Sequence, residues 1–134
     1  MLGVSKFIWR SMCAVACLAG LGCDLVGPDT TAFIIRVDSM SVLDSIAATD
    51  TLTVRFWGKI GGNGCSWLDR VETARSQGLL EITFHGRRRQ RGLCTQMPTV
   101  LKHDETIRPP MQNPFAIRVM QPDGTTLVKS VRIR

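Results

Sequence analysis

The sequence predicts an all-β domain of about seven short antiparallel strands packed as a sandwich. From Thr31 onward, apolar residues alternate with polar ones in run after run, the period of two that a half-buried strand requires. No segment beyond the first 22 residues carries a helical stripe, and turn residues separate the runs. The 134 residues suit one domain, and 44% apolar composition suffices for one modest core rather than a disordered chain.

Taken in order, Phe33, Ile35 and Val37 share one face of the first run. Leu52, Val54 and Phe56 alternate with Thr51, Thr53 and Arg55. A weaker run covers Ser66 to Ala74, and then Leu80, Ile82 and Phe84 alternate with Glu81, Thr83 and His85. Another weak run covers Thr99 to Arg108 before Phe115, Ile117 and Val119, whose partners are Ala116, Arg118 and Met120. The last run, Leu127 to Arg134, turns Val131 and Ile133 inward and Ser130, Arg132 and Arg134 outward. Gln121-Pro122-Asp123-Gly124 supplies the turn before it, because proline presets one backbone angle and glycine accepts a positive one. A hairpin is expected there.

About seven strands over roughly 100 residues, with two cysteines far apart, resemble an immunoglobulin-like β-sandwich in architecture. A small β-barrel is the alternative. Immunoglobulin domains place a core tryptophan well after the first cysteine, whereas Trp67 follows Cys65 directly by two positions, so the strands that the cysteines join stay open.

The N-terminus has a different layout. Lys6 and Arg10 precede the uncharged run Ser11 to Gly22, and the first acidic residue is Asp24. This is the pattern of a secretory signal helix, the run being shorter than the roughly 20 residues that cross a bilayer. Gly20-Leu21-Gly22-Cys23 resembles the lipobox of bacterial lipoproteins. The resemblance implies that the Cys23 thiol becomes a thioether-linked diacylglycerol, that signal peptidase II cuts before it, and that the lipid holds the protein on a membrane. Two acyl chains are what stable attachment needs. Ala14-Val15-Ala16-Cys17 is a rival junction; Cys23 is preferred because the switch from apolar to polar sequence falls there. The expected organisation is a signal peptide over 1–22, a lipidated N-terminus and tether over 23–31, and a β-sandwich domain over 32–134. The expected location is extracytoplasmic, on a bacterial membrane, inner or outer.

Of five cysteines, Cys13 and Cys17 then leave with the signal and Cys23 carries lipid. Cys65 and Cys94 remain, and an oxidising compartment makes them a disulfide. Closing that loop stabilises a fold by about 3.5 kcal/mol in the chain-entropy model. No metal or other cofactor is expected, because the histidines, His85 and His103, flank no Cys-x-x-Cys pair.

Charge is lopsided. Cys23 to Thr83 holds five basic and eight acidic residues, a net of −3, while Phe84 to Arg134 holds ten basic and three acidic, a net of +7. Arg87, Arg88, Arg89 and Arg91, framed by Gly86 and Gly92, form a candidate polyanion-binding loop. Guanidinium pairs bidentately with phosphate and carboxylate, so lipid headgroups, anionic glycans or nucleic acid are the chemical candidates. A solvated loop tip protecting a sheet edge is the competing role. Nucleic acid is disfavoured, since no aromatics interleave the arginines. Trp57 and Trp67 are candidates for an aromatic platform for sugar or peptide, against burial in the sandwich. The Gly58 to Gly64 stretch lacks the Gly-Lys-Ser/Thr of a phosphate loop and is expected as a wide hairpin loop using positive backbone angles.

No catalytic motif appears, so no active site is assigned. His103-Asp104-Glu105 is expected as an exposed polar turn, and on a strand its three side chains could not converge. The sequence therefore points to a membrane-anchored lipoprotein that acts as a non-enzymatic binding or structural module of the envelope, its partner a protein or glycan. The alternative is a small envelope hydrolase with an unrecognised site.

Overall fold

The computed structural model describes residues 29–134, so the expected signal peptide, the rival junction at Cys17 and the expected lipid-attachment residue Cys23 lie outside the described residues. The described chain is all β, with nine strands. They are β1 (Thr30–Ile34), β2 (Ser39–Ser41), β3 (Ser45–Ile46), β4 (Leu52–Gly61), β5 (Ser66–Arg75), β6 (Leu79–Arg89), β7 (Thr99–Ile107), β8 (Phe115–Met120) and β9 (Thr126–Ile133). Each of the seven expected runs contributes to a strand. The other two, β2 and β3, are too short to show a period, and they correct the expected count.

The strands form two sheets. In the larger, six-stranded sheet the 11-residue β6 is the organiser. One of its edges pairs with β5; the other is shared between β1, opposite His85 to Arg89, and β8, opposite Leu79 to Ile82. β9 continues from β8, and β3 closes that edge. The smaller sheet is β2-β4-β7. The expectation of a purely antiparallel sandwich is corrected, because β6–β8 and β3–β9 are parallel pairs. β6 and β8 are separated in sequence by β7, which belongs to the other sheet, so the chain returns to the larger sheet in its original direction.

The two sheets meet through one apolar interior. Leu52, Val54 and Phe56 of β4 and Leu101 and Ile107 of β7 face Leu80, Ile82 and Phe84 of β6 and Phe115, Ile117 and Val119 of β8. Phe56 and Phe84 touch edge to face across the layers, with ring centroids 5.2 Å apart. That arrangement favours aromatic pairs beyond their area of burial. Val131 and Ile133 point inward from β9 as the alternation requires, and the Gln121-Pro122-Asp123-Gly124 turn joins β8 to β9 with Gly124 at φ 81°.

The Gly58 to Gly64 stretch corrects another expectation. It is no hairpin loop: β4 runs through Gly61 in the smaller sheet and β5 starts at Ser66 in the larger, so the segment turns a corner between layers. Its glycines do not supply positive backbone angles; among the described glycines only Gly92 and Gly124 do. Gly58 serves close approach instead. It continues the inward series Leu52, Val54, Phe56, and a Cβ there would overlap the Arg36 carbonyl oxygen, so the backbone after β1 crosses directly over it.

Candidate functional site

The topology gathers one end of the sandwich from five strand termini. The N-termini of β1, β5 and β7 lie there with the C-termini of β4 and β6, as Thr30 pairs with Arg89, Ser66 with Arg88 and Thr99 with Gly61. The Cys65–Cys94 disulfide ties this pole, with Cα atoms 5.2 Å apart, and joins the start of β5 to the β6–β7 loop. Backbone bonds reinforce it: Arg89 N–H donates to the Cys65 carbonyl at 2.7 Å and Gly64 N–H to that of Thr95 at 2.8 Å. The disulfide clamps the rim and does not bridge the core.

The arginine cluster is not a loop tip, contrary to the sequence expectation. β6 extends through Arg89, so Arg87, Arg88 and Arg89 are strand residues, and only Arg91 lies in the loop. β-strand alternation gives them different surroundings. Arg87 lies on the outer face, in an ion pair with Asp69 at 3.4 Å and donating to Thr30 Oγ1 at 3.2 Å. Arg88 donates to Ser66 Oγ at 3.3 Å, and its guanidinium lies 5.7 Å from the centroid of the Phe33 ring. Arg89 and Arg91 are exposed and form no ion pair among the described residues.

A polar cleft of about 450 Å³ opens at this pole, lined by Asn63, Ser66, Arg88, Arg89 and Gln90 beside the disulfide. Asn63 is spent on structure: its Oδ1 accepts the Cys65 N–H at 3.0 Å and its carbonyl accepts the Thr99 hydroxyl at 2.9 Å. Gln90 donates from its side chain to Thr31 Oγ1 and from its backbone to the Asp29 carbonyl. Guanidinium groups held on a disulfide-stiffened rim can receive phosphate or carboxylate oxygens.

The β6–β7 loop also carries exposed apolar residues that sequence reasoning missed. Leu93 is 98% exposed and Met97 75% exposed, beside Arg91 and the disulfide. Their signal in the sequence was faint: single apolar residues in a polar, glycine-containing loop, without a period to mark them.

The other candidates are dispersed. Trp57 lies on β4 in the smaller sheet, opposite Ser39 and Lys102, and Trp67 on β5 in the larger, opposite Arg87. Both are half-buried, on different layers. His103 and Glu105 lie on strand β7, which corrects the expected turn; their side chains share a face at 2.9 Å. Asp104 points the other way, 3.6 Å from Arg55. The His103 ring rests against Phe84 at a centroid distance of 5.4 Å. His85 bonds Glu72 at 2.8 Å on the outer face of the larger sheet. Among the described residues no three His, Cys, Asp or Glu side chains converge as a metal site.

The fold and the pole define an all-β, two-layer domain with one disulfide-tied basic end. No protein-family model, curated protein or solved structure matches the chain.

Proposed function

We propose that the protein is a lipid-anchored, extracytoplasmic binding or structural module of a bacterial envelope, without enzymatic activity. The observation that carries this reading is the cysteine usage. Cys23 falls at the switch from apolar to polar sequence, and the two cysteines of the domain pair with each other, as an oxidising compartment favours. The two-layer architecture supports an immunoglobulin-like sandwich at the level of layers, although the disulfide sits at a pole rather than across the core. The non-enzymatic reading rests on the sequence, which carries no catalytic motif. Each imidazole is hydrogen-bonded to one carboxylate, His85 to Glu72 and His103 to Glu105. The partners proposed are the membrane, through the lipid, and an envelope protein or glycan.

Globomycin treatment and Cys23→Ser should each leave an unprocessed, non-lipidated precursor, read by intact mass and membrane fractionation. Normal maturation under both would reject the lipoprotein reading, and a mature N-terminus at Cys17 would move the junction.

A further inference from the structure

The chain enters the domain at its basic, apolar-tipped pole. Asp29 is the first described residue, and its carbonyl accepts the Gln90 N–H at 2.8 Å, while Thr30 pairs with Arg89. We propose that this pole, with Arg88, Arg89, Arg91, Leu93 and Met97, docks end-on against an anionic lipid bilayer. The proposal rests on the lipid anchor at Cys23 for its orientation.

Three independent observations agree. The first is position: Thr30 lies seven residue steps from Cys23, a reach of at most about 23 Å at roughly 3.3 Å per residue, so an anchor there holds this end next to the surface. The second is charge. Among the described residues, Lys59, Arg87, Arg88, Arg89 and Arg91 outnumber the carboxylates Asp29 and Asp69 at this end, and Arg89 and Arg91 form no ion pair. The third is the apolar tip. Leu93, 98% exposed, projects from a loop held by Cys94, so inserting it orders little that is not already ordered. Cations and exposed leucine and methionine at the same end of the domain match anionic headgroups above acyl chains. The polar cleft beside Arg88 and Arg89 is chemically suited to one headgroup phosphate.

The test uses the exported protein isolated from membranes and mounted in excess vesicles of brominated lipid, either zwitterionic or containing anionic lipid. Leu93→Trp should give emission that is blue-shifted and strongly quenched on anionic vesicles, after subtraction of the parent signal. Leu43→Trp is the control, since Leu43 is 65% exposed but follows β2, whose pairing runs from Trp57 toward Arg55 and away from the pole. It should remain unquenched. Arg89→Gln with Arg91→Gln should lower the docked-to-undocked ratio about 30-fold, each surface cation contributing roughly a factor of five. The corresponding lysine variants should retain docking, and about 1 M salt, where screening acts within roughly 3 Å, should abolish it. Quenching of Leu93→Trp no greater than that of Leu43→Trp, or indifferent to headgroup charge, overturns the proposal. Intact mass of the same sample reports the diacylglyceryl group separately. A missing lipid would therefore reject the anchor, while the quenching decides docking in either case.

Discussion

Gln121 illustrates what one side chain can hold. It opens the β8–β9 turn, and the sequence marks it only as a turn residue. Yet it is 7% exposed, and its amide grips the backbone of Val37 at both ends. Val37 N–H donates to Oε1 at 3.0 Å and Nε2 donates to the Val37 carbonyl at 2.8 Å. The side chain thus acts as a strand for a segment that has left β1 and not reached β2. Gln121→Leu should cost about 2–4 kcal/mol, since it strands two buried backbone groups, and urea unfolding would measure it. Gly58→Ala should cost about 1–3 kcal/mol by driving a methyl into the Arg36 carbonyl; an unchanged midpoint would show that the crossing segment can shift. Asp123 carries the pH dependence of the turn. The Thr125 hydroxyl and amide, at 2.6 and 3.1 Å, hold its carboxyl below the ordinary value of 3.8, with Arg36 assisting. A depressed folded pKa contributes stability that is present above pH 3.8 and lost as pH falls through the folded value. NMR titration of the Asp123 carboxyl and the Thr125 amide should therefore show the turn loosening only in that acidic window.

At the scale of the element, β6 carries the most. Its inward series Leu80, Ile82, Phe84 ends in Gly86, where the Phe33 ring occupies the space a side chain would fill, a Cβ lying only 2.6 Å from it. Its outward series is a row of polar contacts with neighbouring strands: ion pairs of Glu81 with Arg118 at 3.2 Å and Arg87 with Asp69 at 3.4 Å, and a hydrogen bond of His85 with Glu72 at 2.8 Å. These pairs are solvent-exposed enough that register, more than energy, is their contribution. Phe84→Ala should destabilise the domain by about 3–5 kcal/mol, and a double-mutant cycle with Phe56→Ala should return a coupling of about 1 kcal/mol. Equilibrium unfolding of the four proteins measures both, and a coupling of zero would mean that the sheets do not depend on this contact. β6 was legible in sequence as far as Phe84 because burial of one face imposes the period. Beyond it the strand was hidden: Gly86, though buried, has no side chain to mark the inward face, and Arg88 and Arg89 are exposed, so polarity no longer distinguishes strand from loop.

At the scale of the molecule, the disulfide and the basic pole belong together. Cys65→Ser with Cys94→Ser should lower stability by about 3.5 kcal/mol, since the bridge spans a sequence separation of 29, and thermal melts with and without reductant would measure it. An equal melting point in both would place the bridge outside the stability of the domain. The features legible along the chain are local: the all-β class, the inward and outward faces of the long strands, the hairpin at Gln121 to Gly124, the pairing of Cys65 with Cys94 and the excess of cations in the C-terminal half. The faces follow from the period that burial of one side imposes, the hairpin from proline and glycine at the turn, the cysteine pairing from parity in an oxidising compartment, and the cation excess from composition. Which elements become neighbours is settled in three dimensions, by the packing of the two layers. β7 lies in the smaller sheet, so β6 and β8 run parallel; β2 and β3 exist because β4 and β9 offer them open edges. The same pairing brings Thr30 beside Arg89, and so places the chain's point of entry next to the arginines and Leu93. Contacts between residues 59 positions apart have no period to announce them, since many partners satisfy the same alternation and only the joint packing of both layers selects one.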